Sequence, residues 1–161
     1  MNDVVSEALT SGDWPAGVQL LWQTGAASYD RFKHLSASGL QLSAFLDPIQ
    51  DAFSAADLVV GRAGAITSAE VAAWGLPSIL IPLPTAAANH QVINARALAA
   101  AGAAVLIEQH DLTADSLSRT VAGLLADPAR MAGLAAAAGA RSRPFAAAEI
   151  AREVLQLVPK P

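Results

Sequence analysis

With 161 residues, 53% of them hydrophobic, and a mean hydropathy of +0.39, the chain is long enough for one folded domain and too apolar for disorder. It contains no cysteine, which excludes disulfides and thiolate metal sites, and a net charge of −4 without any basic stripe excludes nucleic acid as a natural partner. The longest apolar run, Ala97 to Ile107, is bounded by Arg96 and Glu108 and falls short of the roughly 18 residues of a membrane helix, so no span is predicted.

In chain order, Val4 to Leu9 reads as a helix directly after Met1. An α/β unit ordinarily opens with a strand, so an upstream strand is expected to be missing, and no secretory leader precedes the helix. Ser11 to Pro15 is a turn, Val18 to Trp22 a strand, and Gln23-Thr24-Gly25 its C-terminal end. A helix from about Ser28 to Leu35 leads through Ser36 to Gly39 into a strand over Gln41 to Leu46. Pro48 then suits the first turn of a helix ending at Ala55.

The stretch from Leu58 to Asn94 carries the chemistry. Leu58, Val59 and Val60 form a short apolar run suited to a strand covered on both faces, and Gly61 ends it. Arg62 to Ile66 is a turn of mainly small residues. Thr67 with Glu70 three positions later matches a capping box, so a helix is predicted to start there and to stop at Gly75. Strand, small-residue turn and helix N-terminus together favour an anion, because unpaired N–H groups and the helix dipole both attract negative charge. A diphosphate is the natural occupant. Glu70 keeps two readings, a helix cap or a ligand contact.

A second apolar strand, Ser78 to Ile81, is followed by a Pro-punctuated loop over Pro82 to Asn89 and by His90-Gln91 at the start of a helix that Gly102 closes. Ala103 to Ile107 reads as the next buried strand. Thr113 can cap a helix whose Leu117, Val121, Leu124 and Leu125 make one apolar stripe, and Asp127-Pro128 breaks it. Two helices finish the chain, Ala129 to Ala140 and Ala146 to Leu157, separated at Pro144. Their Arg141, Arg143 and Arg152 form either a solvated face or a patch for anionic lipid. The histidines His34, His90 and His110 have no clustered ligands at metal spacing, so no bound metal is predicted, and His34 and His110 are read as surface residues. Strands alternating with helices predict a mostly parallel, three-layer Rossmann-like sheet, with polar residues at the strand C-terminal ends converging on one crevice.

Several of these residues carry a family resemblance. Arg62-Ala-Gly-Ala65, Thr67, Glu70, Gly75-Leu-Pro77 and Asn89-His-Gln91 with Asn94-Ala95 closely resemble the donor half of the MurG glycosyltransferases, the bacterial family that adds N-acetylglucosamine to the lipid-linked muramyl-pentapeptide precursor of peptidoglycan. Leu21-Trp-Gln-Thr-Gly25, Phe45-Leu-Asp47, Ala55-Ala-Asp57 and Ala101-Gly-Ala-Ala104 extend the likeness over nearly the whole chain. The resemblance implies the C-terminal domain of a two-domain transferase of the GT-B type, lacking its first strand and its Gly-rich phosphate loop, with residues 1–161 as a single UDP-sugar-binding domain. It implies that Glu70 holds the ribose hydroxyls and that Ala65, Ile66 and Thr67 offer backbone N–H groups to the diphosphate. His90 and Gln91 would face the sugar, and backbone groups of Phe45 and Leu46 would read the uracil edge.

The family's usual His is replaced by Thr85 and its usual Ser or Cys by Gly61, so neither position inherits a role. No catalytic residue and no cofactor is implied for this chain. The implied partners are UDP-N-acetylglucosamine, an N-terminal acceptor domain and, through that domain, a lipid-linked muramyl acceptor at the cytoplasmic face of the membrane. Two alternatives remain from the sequence. One is the soluble half of a split lipid-linked oligosaccharide N-acetylglucosaminyltransferase, similar to the eukaryotic enzyme acting on dolichol diphosphate. The other is a nucleotide-sugar binding module without turnover.

Overall fold

The structure is a computed structural model that describes residues 1–35, 38–86 and 89–157. Part of the connection predicted at Ser36 to Gly39 and part of the loop predicted over Pro82 to Asn89 lie outside the described residues. Helices and strands alternate through α1 (Asn2–Ser11), β1 (Leu20–Gln23), α2 (Ala26–Phe32), β2 (Leu40–Ser43), α3 (Ile49–Ala55), β3 (Val59–Gly61), α4 (Ala65–Trp74), β4 (Ser78–Leu80), α5 (His90–Ala100) and β5 (Val105–Leu106). Three helices follow, α6 (Ala114–Leu125), α7 (Pro128–Ala140) and α8 (Ala146–Leu157).

Every strand pairing is parallel, as the alternation requires. The ladders are nevertheless two. β1 pairs with β2, from Leu20 opposite Leu40 to Gln23 opposite Ser43, while β3, β4 and β5 pair in that order. The parallel strands expected from the sequence thus fall into two ladders, with β1 and β3 each at an edge. The beginning of α1 lies near the ends of both pieces: Asn2 Nδ2 donates to the Thr24 carbonyl beyond β1, and the Met1 amine has its pKa lowered by burial and then by the charge of Arg62, beyond β3.

β4 explains why the architecture has three layers. Its successive side chains point to opposite faces, so Ile79 and Ile81 enter a cluster with Trp22, Leu117, Val121 and Leu124, while Leu80 packs with Ala63, Ala95 and Ala104 on the other side. A third cluster, Phe53, Val71 and Leu76, seals α3 against α4. β4 is buried throughout, but β3 is only half-buried and Leu21 in β1 is 40% exposed. This corrects the expectation that β3 is covered on both faces, and the cause is its place at an edge.

Helix ends follow the sequence signals where a side chain makes the cap. Thr113 accepts from the Ser116 N–H while Ser116 reaches back to the Thr113 N–H. Asp127-Pro128, read from the sequence only as a break, also starts α7, Asp127 capping it through the Arg130 N–H and Pro128 taking the first helical position, while Gly75 closes α4 as expected, in the left-handed conformation at φ 60°. α8 has no buried residue, and Arg141, Arg143 and Arg152 are exposed. Among the described residues no helix is long and apolar enough to cross a membrane.

Candidate functional site

Strands run the same way within each ladder, and the start of α1 lies near the C-terminal ends of both β1 and β3, so the segments that leave the strands face the side where ligands usually bind in open α/β folds. The segment after β3 is the centre. Ala63 is fully buried and its carbonyl accepts from Asn94 Nδ2 at 3.2 Å, so α5 holds the turn from behind. Gly64 then serves as the N-cap of α4 in an extended conformation, and its carbonyl takes the first helical bond, from Ser68 N–H at 2.9 Å.

The predicted capping box does not form. α4 begins at Ala65, two residues ahead of Thr67, and it has no side-chain cap. Thr67 therefore lies inside the first turn, where its hydroxyl is too far along to serve as the cap. Two consequences follow for chemistry. The N–H groups of Ala65, Ile66 and Thr67 are left without helical partners, with Ala65 and Ile66 exposed to solvent. The carboxylate of Glu70, half-buried and one turn further on, has no hydrogen-bond or ion-pair partner among the described residues. Of its two readings, the helix cap is removed.

Arg62 is the guanidinium of this edge. Its Nη1 donates to the Ile81 carbonyl at 3.1 Å, to the Pro82 carbonyl at 3.4 Å and to Gln109 Oε1 at 2.6 Å, tying together the ends of β3, β4 and β5. Burial pulls its pKa below the ordinary arginine value, although a guanidinium keeps its proton at any physiological pH. The same carbonyl-lined corner leads to Leu83, whose N–H donates to Gln91 Oε1 at 3.0 Å. Gln91 sits half-buried in the first turn of α5, directly after the exposed His90. Since its oxygen is committed to Leu83, the amide NH₂ is the end of Gln91 left to offer a ligand.

At the other ladder, Phe45 is 63% exposed just beyond β2, and the neighbouring Leu46 is half-buried. The Leu46 N–H donates to Gln23 Oε1 at 2.9 Å. That bond narrows the expected base-reading role of the pair, because the carbonyl of Leu46 remains open while its N–H does not. Sequence reasoning passed over three supports: Gln23 on Leu46, Asn94 on Ala63 and Gln109 on Arg62. Each is a polar residue lying at a strand end or on a helix face beside a turn, and only the folded chain pairs it with its target. His34 and His110 are exposed, His110 beside Asp111 at 3.4 Å, and no three metal-ligating side chains come together among the described residues.

A parallel three-layer α/β fold, with the uncapped N-terminus of α4 beyond β3, defines a Rossmann-like domain. The chain belongs to the glycosyltransferase family 28 C-terminal domain family, whose sequence model matches residues 2–153. It is 43% identical over 140 residues to the UDP-N-acetylglucosamine–N-acetylmuramyl-(pentapeptide) pyrophosphoryl-undecaprenol N-acetylglucosamine transferase of Chlorobium limicola, a match covering 86% of this chain and 38% of that protein. To the transferase of the same name from Anaeromyxobacter dehalogenans it is 44% identical over 162 residues, covering 98% of this chain and 42% of the relative.

Among solved structures, MurG of Acinetobacter baumannii superposes with a TM-score of 0.81 at 28% identity, over 96% of this chain and 45% of that one. The glycosyltransferase VinC, solved in complex with DTDP, shares the fold with a TM-score of 0.75 at 19% identity. The chain thus spans less than half the length of the relatives it matches.

Proposed function

We propose that residues 1–161 are the UDP-sugar-binding half of a glycosyltransferase that moves N-acetylglucosamine from UDP-N-acetylglucosamine to a lipid-linked muramyl-pentapeptide, releasing UDP. The observation that carries this reading is the uncapped start of α4, with its free N–H groups at Ala65, Ile66 and Thr67 one turn ahead of the unpartnered Glu70 carboxylate. In this arrangement the three N–H groups take the diphosphate and Glu70 accepts both ribose hydroxyls. Phe45 and the Leu46 carbonyl meet the uracil edge, and His90 with the Gln91 NH₂ meets the sugar. As the glycosidic bond to phosphate breaks, negative charge grows on the departing UDP. Fixed N–H groups and the positive end of the α4 dipole stabilise that charge without having to reorganise.

The relatives' printed names, matched at 43–44% identity, supply the substrate pair. The acceptor site, in this reading, belongs to the portion of those relatives that this chain does not span, and the assembled enzyme works at the cytoplasmic face of the membrane, where the lipid-linked acceptor resides. The names of the relatives favour the transferase over a split oligosaccharide enzyme; a gene map showing the acceptor half beside this chain separates the two.

Calorimetric titration of the chain with UDP and with UDP-N-acetylglucosamine tests the proposal. Both should bind, the sugar nucleotide more tightly. Gln91→Ala should leave UDP affinity within about twofold while lowering that of the sugar nucleotide by roughly fivefold to thirtyfold, the value of one or two lost hydrogen bonds. No binding of either ligand by the unmodified chain defeats the proposal. Equal losses for both ligands would assign Gln91 to the scaffold instead.

A further inference from the structure

We propose that Gln109 is a positioning residue for sugar recognition, acting through Arg62 on the backbone that orients Gln91. This rests on the nucleotide-sugar reading of the site and adds to it a residue remote from the ligand in sequence and role.

The inference follows the hydrogen bonds outward from Gln91. Its Oε1 is held by the N–H of Leu83 at 3.0 Å, so the direction of its NH₂ depends on where Leu83 stands. Leu83 directly follows Ile81 and Pro82, whose carbonyls both accept from Arg62 Nη1. One NH₂ group has only two hydrogens for three acceptors, so at least one of these bonds is shared and the position of Nη1 is sensitive to its strongest partner. By distance that partner is Gln109 Oε1, at 2.6 Å, against 3.1 and 3.4 Å for the carbonyls.

Bonds with a charged donor are roughly twice as strong as neutral ones, and this guanidinium is half-buried, where an unpaired donor is costly. Without Gln109, Arg62 regains its lost bond only by moving toward the two carbonyls or toward solvent. Either movement shifts the Ile81–Leu83 backbone. Gln109 itself lies half-buried just beyond β5. Its carbonyl oxygen faces the Arg62 clamp, a placement that a solvated surface glutamine does not need.

The test uses Gln109→Ala and Gln109→Glu in the full chain, titrated with UDP and UDP-N-acetylglucosamine, with amide hydrogen exchange followed at Leu83. Gln109→Ala should cut the preference for the sugar nucleotide over UDP by about threefold to tenfold and speed exchange at Leu83 by about tenfold, because the N–H loses its fixed partner. Gln109→Glu retains an oxygen for Arg62 and should restore both. A melting temperature measured alongside separates this from general loosening, which would lower affinity for UDP as well. Unchanged preference and unchanged exchange in Gln109→Ala, or failure of Gln109→Glu to rescue, overturns the inference while leaving the nucleotide-sugar reading standing. An unmodified chain that binds neither nucleotide overturns both.

Discussion

The purified chain, incubated with UDP-N-acetylglucosamine and a lipid-linked muramyl acceptor, is expected to transfer no sugar, and activity is expected to appear when the acceptor half of a relative is expressed separately and mixed in. The size of the effect comes from proximity. Holding a hydroxyl against the anomeric carbon is worth effective molarities of about 10⁵–10⁸ M in well-oriented systems, and general-base assistance adds about 10²–10⁴-fold. In the proposed complex α4 meets the leaving group, yet the chain spans only 38–45% of the length of the transferases it resembles. At that edge the proposed complex already assigns Glu70 and His90 to ribose and sugar contacts, and Arg62 is bonded to Ile81, Pro82 and Gln109. Product formed by the chain alone, above the level of a boiled control, sinks the expectation. Product formed only on mixing assigns recognition of the UDP-sugar to this half.

Replacing Glu70 with Ala should weaken UDP binding by at least roughly tenfold to a hundredfold, since even one hydrogen bond to a carboxylate is worth about 1.5–3 kcal/mol. The structure sharpens this expectation by separating function from stability. Had Glu70 closed a capping box with Thr67, its loss would have cost the helix about 1 kcal/mol. α4 instead starts on the backbone of Gly64, and the Glu70 carboxylate bonds nothing among the described residues, so the melting temperature should stay within the small range of neutral surface changes. Calorimetry and thermal melts on the same samples decide between the roles. A lowered melting point with undiminished UDP affinity would return Glu70 to the helix and leave the ribose without its partner.

How legible the fold was depended on how local each determinant is. α6 and α7 were readable because Thr113, Asp127 and Pro128 act on their own neighbours within three residues. The start of α4 was misread for the complementary reason: its cap is the backbone of Gly64, and a backbone cap leaves no residue signature, whereas the nearby Thr67 and Glu70 imitate one. Strand extents were the least legible. Ala103 to Ile107 was expected as a strand, but only Val105 and Leu106 form ladder pairs, because a ladder ends where the neighbour ends and that neighbour, β4, is three residues long. The division of the sheet was hidden for a related reason, since alternation of elements says that strands are parallel and nothing about which ones touch.

In the site, the residues of the α4 turn and the first turn of α5 were visible as motifs. The Arg62–Gln109 bond joins positions 47 apart and leaves no trace in spacing.

The divided sheet gives a bound nucleotide a mechanical part to play. No strand-to-strand hydrogen bond crosses from β1–β2 to β3–β5 among the described residues, so the two ladders are coupled mainly by side-chain packing, through a cluster that holds Trp22 from one and Ile79 and Val60 from the other, with the start of α1 beside both. Packing of this kind resists separation but yields to sliding more readily than a hydrogen-bonded ladder does. In the proposed complex the uracil end of UDP rests on the β2 side, at Phe45 and Leu46, and the diphosphate end on the β3 side, at the α4 turn. The ligand would then be a rivet driven through both plates. Its binding energy would be spent partly on holding them in register, and slower amide exchange should appear together in β1, β2 and β3 on saturation with UDP, rather than around the α4 turn alone.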